Sequence, residues 1–278
     1  MSEGSLAATL LIVFRETLEA GLIVGIILTM LSRMRAMQYA SHVWASVAAA
    51  VGLSILAGWA LGLATASTQG QWEKIIEGCI SLVACGVLTW MVFWMDRQAK
   101  RLRPEIETQI KWAVSRTQLA AIMALPFLAV FREGAETVLF LQAVAIQSGG
   151  TVSGLGALLG GGLAVAVTAA IFVGGRQVPL KTLFRSTGVL LLLIAAGMLA
   201  YGIHELQELG WIPMGISPIW NINHLLNEKA GLGSFLKALF GYNGNPSLIE
   251  VLGYAGYLIV VGTLLRGWRK TPRARQAS

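Results

Sequence analysis

The chain has 278 residues, 55% of them hydrophobic and only 13% charged, with a mean hydropathy of +0.67. Soluble domains carry about 25% charged residues, so the composition argues against an ordinary soluble enzyme and for a polytopic membrane protein. The net charge of +7 does not indicate a nucleic-acid partner, because the basic residues gather at the ends of apolar runs.

Seven apolar runs are predicted as membrane-spanning helices, at 6–31, 44–66, 74–95, 118–145, 152–175, 184–204 and 248–267. Each is long enough to cross about 30 Å of hydrocarbon at ~1.5 Å per residue. Residues 1–6 carry Glu3 and no Lys or Arg. They lack the features of a secretory signal, so the first run is expected to remain as a permanent span. The 32 glycines suit close helix approach in a bilayer. The two cysteines, Cys79 and Cys85, lie on different faces of one run and are expected to pack without bridging.

The connections sort by charge. Arg33 and Arg35 follow span one; Arg97, Lys100, Arg101, Arg103, Lys111 and Arg116 follow span three. Arg176, Lys181 and Arg185 surround the fifth connection, and Arg266, Arg269, Lys270, Arg273 and Arg275 lie at the carboxyl end. The opposite side holds Lys74, Lys229 and Lys237. The positive-inside rule then puts the amino terminus outside and the carboxyl terminus in the cytoplasm. The expected plan is an all-α membrane domain in two inverted three-helix halves. These are residues 1–95 and 117–205, followed by an outer segment 206–247, a seventh span 248–267 and a basic tail 268–278. Inverted repeats commonly build transporter sites at the midplane. The outer segment, with Trp211 and Trp220, is expected to fold over the outer mouth as short helices and turns. Trp90 and Trp94 read as an interfacial belt.

Charge also stands where it does not belong. Span one contains Arg15-Glu16-Thr17-Leu18-Glu19 and span four contains Arg132-Glu133-Gly134-Ala135-Glu136. Both read Arg-Glu-x-x-Glu, which puts two carboxylates and an arginine near one face of a helix. By the expected topology these two helices are antiparallel. Mid-span charges cost at least ~2.5–3.5 kcal/mol each, so six of them need partners or water. A purely structural role would pair Arg15 with Glu19 and Arg132 with Glu136, each four residues apart, and would leave Glu16 and Glu133 unpaired. Four carboxylates against two guanidiniums sum to −2, which calls for a cation.

Carboxylate oxygens select hard ions, and neither copy contains His or Cys. That disfavours copper and zinc and favours iron, manganese, magnesium or calcium. Pro126 and Gly134 would give span four a missing hydrogen bond and a point of close approach. Glu77 is a candidate capture ligand, and His204, Glu205 and Glu208 form a candidate second site on the outer side. Glu73, Glu228 and Glu250 add to the outer acidity. His42 and His224 carry no signal.

The paired motif resembles that of the oxidase-dependent iron permeases, the high-affinity iron permeases of fungi and the bacterial EfeU-type proteins. Residues 88–95, 204–208, Gly241-Tyr242 and Pro246-Ser247 resemble the bacterial branch, and the likeness covers nearly the whole chain. Ala135 departs from the leucine that the family often has at that place. The resemblance implies multi-pass location in the cytoplasmic (inner) membrane and import of iron without a prosthetic group. It implies Glu16, Glu19, Glu133 and Glu136 as the metal ligands, with Arg15 and Arg132 balancing charge. Fe(III), formed from Fe(II) outside, is the expected ion, supplied by an external iron-oxidising or iron-binding partner. The alternatives are a permease for another hard divalent ion such as Mn(II), an intramembrane metal enzyme, or a membrane anchor for an external oxidase. No His-Glu-x-x-His motif and no nucleophile pair support the enzyme.

Overall fold

A computed structural model describes residues 3–98, 102–116, 118–149, 152–174, 180–228 and 231–270. Lys100, Arg101, Arg176, Lys229, Arg273 and Arg275, with residues 271–278 of the basic tail, lie outside the described residues. The described residues form α-helices joined by turns, with no strand among them. In chain order the helices are α1 (Glu3–Arg33), α2 (Ala40–Ala66), α3 (Gln71–Gln98), α4 (Leu102–Ser115) and α5 (Leu119–Gln147). They continue with α6 (Gly154–Phe172), α7 (Leu180–Glu208), α8 (Gly231–Phe240) and α9 (Leu248–Lys270).

Among the described residues, five segments are long and apolar enough to cross a membrane: Met37–Ala66, Gln71–Met95, Gly154–Phe172, Thr182–Glu208 and Leu248–Arg266. Helices α1 and α5, with 31 and 29 residues, match them in length. Their three internal charges apiece keep them from the same apolar class. Two further helices are short. The expected basic connection after span three contains α4, whose Ile110 and Ala113 are buried against α1 and α5. Pro104 sits in its first turn, where the missing N–H costs nothing. Helix α8 packs on the start of α1, where Gly4 lies against Ser234 and Phe235.

Helix ends follow local chemistry. The α1–α2 reversal has Arg35 at φ 54, with the Ala36 amide returning to the Leu31 carbonyl at 2.8 Å, a left-handed cap. Ser153 caps α6 by accepting from the Gly156 amide at 3.1 Å. Ser247 and Glu250 form a reciprocal capping box at the start of α9. The Ser247 amide donates to Glu250 Oε1 at 3.2 Å and the Glu250 amide to Ser247 Oγ at 3.3 Å.

The helices pair in a regular way. Helix α1 runs parallel to α6, because Gly156 meets Leu6 and Thr9 while Gly21 meets Thr168 and Gly25 meets Phe172. Helix α2 runs parallel to α5, with Ser54 against Gly134, Gly58 against Val138, and Gln142 donating to Thr65 Oγ1 at 2.8 Å. Helices α3 and α7 are antiparallel, since Gly78 meets Glu205 and Gly188 meets Val92. Small residues at four-residue spacing make the first two pairings possible. Ser46, Ala50, Ser54 and Gly58 line α2, and Gly156, Gly160, Ala164 and Thr168 line α6. Large apolar side chains such as Trp44, Leu56, Trp59 and Leu158 face outward, as a lipid-solvated surface requires.

Two apolar clusters lie on either side of the midpoint of α1. One joins Ala8 and Ile12 to Phe140, Ala143 and Val144 of α5, with residues of α3, α7 and α8. The other joins Val24, Ile27 and Leu31 to Ile122 and Val130 of α5, with residues of α2 and α4. The start of α1 thus meets the end of α5 and the reverse, so the two motif helices are antiparallel. The two Arg-Glu-x-x-Glu copies fall in the layer between the clusters.

Candidate metal centre

Within that layer, Glu16 and Glu19 project from α1 and Glu133 from α5. Each offers a carboxylate oxygen within 4.8 Å of the others, and all three side chains are buried. The i, i+3 spacing brings Glu16 and Glu19 to one face of α1, and the antiparallel crossing brings Glu133 to meet them. Close approach at the second motif depends on Gly134, since a Cβ there would overlap Ser54 of α2. Pro126, buried in α5 ahead of the motif, leaves the Ile122 carbonyl without its usual helical donor.

The two arginines are not equivalent. Arg15 is 2% exposed, with Nε 3.0 Å from Glu19 Oε1 and Nη1 3.9 Å from Glu16 Oε1. Arg132 is 44% exposed, with Nη2 2.9 Å from Glu133 Oε1 and Nε 3.4 Å from Glu136 Oε1. The i, i+4 pairs expected from spacing are present. Glu133, expected to lack a partner, is paired by its sequence neighbour, because the long guanidinium reaches back along its own helix. Glu16 remains the poorly compensated group. Among the described residues, neither of its oxygens has a hydrogen-bond partner, nor has Oε2 of Glu133 or of Glu136. Buried carboxylate oxygens without donors are costly. With one oxygen each of Glu16, Glu19 and Glu133 inside 4.8 Å, the arrangement suits an oxygen-coordinated hard cation.

Glu136 stands outside the three-carboxylate group and faces a crevice between α3 and α5, with Arg132 beside it. The Arg132 guanidinium lies 4.6 Å over the Trp94 ring, a contact that nothing in the spacing of the sequence signalled. Trp94 therefore has a motif contact beyond its expected place in an interfacial belt.

The other candidate residues form two neighbouring clusters at the opposite end of α3. The Tyr201 hydroxyl donates to Glu77 Oε2 at 2.9 Å and also faces Glu205. His204 and Glu208 turn elsewhere. His204 Nδ1 lies 3.1 Å from Glu250 Oε1 and Nε2 lies 3.3 Å from Glu208 Oε1, while Lys74 Nζ is 2.6 Å from Glu208 Oε2. Consecutive helix positions diverge by about 100°, so Glu205 leaves the trio expected from sequence and joins Glu77. Sequence reasoning missed Tyr201 and Asn243, whose Nδ2 donates to Glu250 Oε2 at 2.8 Å.

Comparison with known proteins bears on this arrangement. The profile of the iron permease FTR1 family matches residues 6–267. A Yersinia pestis protein named ferrous iron permease EfeU is 36% identical over 251 residues, 90% of this chain and 89% of its own length. An Escherichia coli O6:H1 protein of the same name is 32% identical over 251 residues, 90% of this chain and 91% of its own. No solved structure matches. With buried glutamates converging between two antiparallel motif helices, and with matches spanning nearly all of its length, the chain belongs to the iron permease FTR1 family, whose members are transporters and not enzymes.

Proposed function

We propose that this chain imports iron across the cytoplasmic membrane, holding the ion in transit between Glu16, Glu19 and Glu133 with Glu136 as the fourth carboxylate. The observation that carries the reading is the set of three buried carboxylates within 4.8 Å of one another, donated by two helices. Arg15 and Arg132 offset part of the charge, so that binding is firm enough to select the ion and weak enough to release it. The family membership and the names of the relatives support iron as cargo.

The full plan is seven spans, α1, α2, α3, α5, α6, α7 and α9, with the amino terminus outside. Halves α1–α3 and α5–α7 are inverted copies. Exchanging them maps the α1–α6 pairing onto α5–α2 and leaves α1–α5 and α3–α7 antiparallel, which the observed pairings obey. The matching small-residue stripes of α2 and α6 favour the same reading. On this plan Glu77 with Glu205, and His204 with Glu208, lie at the outer mouth, where acidic groups concentrate cations. An external iron-oxidising or iron-binding protein would supply them.

The ion captured is Fe(III), whose small size and high charge gain most from several carboxylates. A second reading, Fe(II), is favoured by the summed charge of −2 and by the word ferrous in the relatives' names. Uptake of radioactive iron into proteoliposomes, under ascorbate or with ferric citrate, separates the two. Excess Mn(II) tests for a broader divalent permease. Glu16→Ala or Glu133→Ala should abolish uptake in well-expressed protein, and unchanged uptake in either variant refutes the assignment.

A further inference from the structure

Both motif helices carry their glutamate faces on toward α4. Past Glu19, α1 presents Ile23 and Ile27 at four-residue steps; ahead of Glu133, α5 presents Leu125 and Ala129 at the same steps. These side chains, with Glu105 and Gln109 of α4, line a cavity of about 160 Å³. At ~30 Å³ per water it has room for about five waters. The crevice beside Glu136 lies on the opposite side of the glutamate layer, because its Val87 and Met91 join the cluster at the start of α1 and the end of α5. The two openings therefore flank the centre.

We propose that the cavity between α1, α4 and α5 is the passage by which the ion leaves the three-glutamate centre for the cytoplasm, with α4 as its movable wall and Glu105 as the carboxylate at its mouth. The proposal rests on the reading of that centre as an iron site and of the amino terminus as outside. On that orientation α1 runs inward through the layer, so Ile23 and Ile27 lie on its cytoplasmic side. Helix α5 runs outward, so Leu125 and Ala129 lie there too. Helix α4 belongs to the basic connection that the positive-inside rule puts in the cytoplasm. Ile23 is four residues from Glu19, about 6 Å along the axis, and Ala129 stands as far from Glu133, so the step from centre to cavity is one helical turn. The apolar walls beyond it offer no ligand, and an ion that crosses exchanges three carboxylates for water. Glu105 and Gln109, one turn apart and both exposed, then supply oxygens where the cavity meets solvent. Such a fall in affinity is what release requires. Helix α4 shuts the cavity with Ile106, while Ile110 and Ala113 on the same face are buried against α1 and α5. Those buried contacts are apolar, so parting them strands no polar group.

The test uses full-length protein in membrane vesicles of both orientations, in a Cys79→Ser, Cys85→Ala background. A charged, membrane-impermeant thiol reagent should modify Ala129→Cys, and independently Ile23→Cys, from the cytoplasmic face, and the modified protein should lose iron uptake relative to the same variant before treatment. Leu56→Cys, on the outward face of α2, should stay unreactive. Glu105→Gln should slow iron release into the cytoplasmic compartment about threefold, the scale of one exposed charge, with iron affinity at the centre unchanged. Silence at both cavity thiols overturns the passage; so does modification from the outer face alone, or undiminished uptake after both thiols have reacted. Wild-type release from Glu105→Gln overturns its place at the mouth. Equilibrium dialysis of iron against the wild-type protein keeps the two readings apart. Failure to bind iron removes the centre itself, whereas binding with silent thiols removes only the passage.

Discussion

Replacing Glu16 by Gln should make the protein more stable and insensitive to iron at once. Glu16 is 1% exposed, and neither carboxylate oxygen has a hydrogen-bond partner among the described residues. Oxygens of Glu19 and Glu133 lie within 4.8 Å, and at an effective dielectric of about 20 each such repulsion is about 3.5 kcal/mol. The cation beside it is Arg15 Nη1 at 3.9 Å, which returns about 4 kcal/mol on the same scale. The carboxylate is therefore a net burden of about 3 kcal/mol without cargo, and the isosteric amide removes most of it. At roughly 2–4 °C per kcal/mol, the midpoint should rise by about 5–10 °C. Iron at about a hundred times its dissociation constant stabilises the wild type by about 2.7 kcal/mol, and the variant should gain nothing. Stepwise heating of detergent-purified protein, followed by size-exclusion chromatography with and without iron, reads both effects. A lowered midpoint, or an iron-dependent gain that survives the substitution, would refute the reasoning.

Three other outcomes follow from the same geometry. Arg15→Met strips the buried cation from three carboxylates and should cost about 3–5 kcal/mol, whereas Arg132→Met, at 44% exposure, should cost about 1 kcal/mol or less; thermal midpoints of the purified variants compare them. Gly160→Val puts a Cβ 2.5 Å from the Leu10 carbonyl oxygen and should cost about 1–3 kcal/mol or more by parting α1 from α6, while Gly162→Val, with nothing within 4 Å, should leave folded yield unchanged. Ser247→Ala removes the cap of α9 and the 2.8 Å bond to Gln207 Oε1, and should lower stability by about 1–2 kcal/mol with iron binding intact.

Much of this architecture is legible in the amino-acid sequence, for a physical reason. A bilayer demands about twenty apolar residues per span, and that demand writes itself as uninterrupted runs that fold within a few residues of where they are read. The motif is legible for the converse reason, since charge in such a run is costly enough to need an explanation. Helix α4 escapes the same reading because its charged residues and Pro104 look like a connection. Ile106, Ile110, Ala113 and Val114, spaced as one helical face, are the signal available. The small-residue stripes of α2 and α6 are equally present in the sequence. The rotation of each helix about its axis is set by partners distant in the chain. For that reason the separation of Glu136 from the other three carboxylates, the turn of Glu205 toward Glu77, and the stacking of Arg132 on Trp94 leave no local trace.

The central claim is that carboxylates from two antiparallel helices share one ion at mid-depth. Anomalous scattering at the iron edge, from protein crystallised with iron, tests it most directly. The account predicts a peak between the carboxylates of Glu16, Glu19 and Glu133. A peak confined to the Glu77–Glu205 end of α3, or a site built on one motif helix alone, would contradict it.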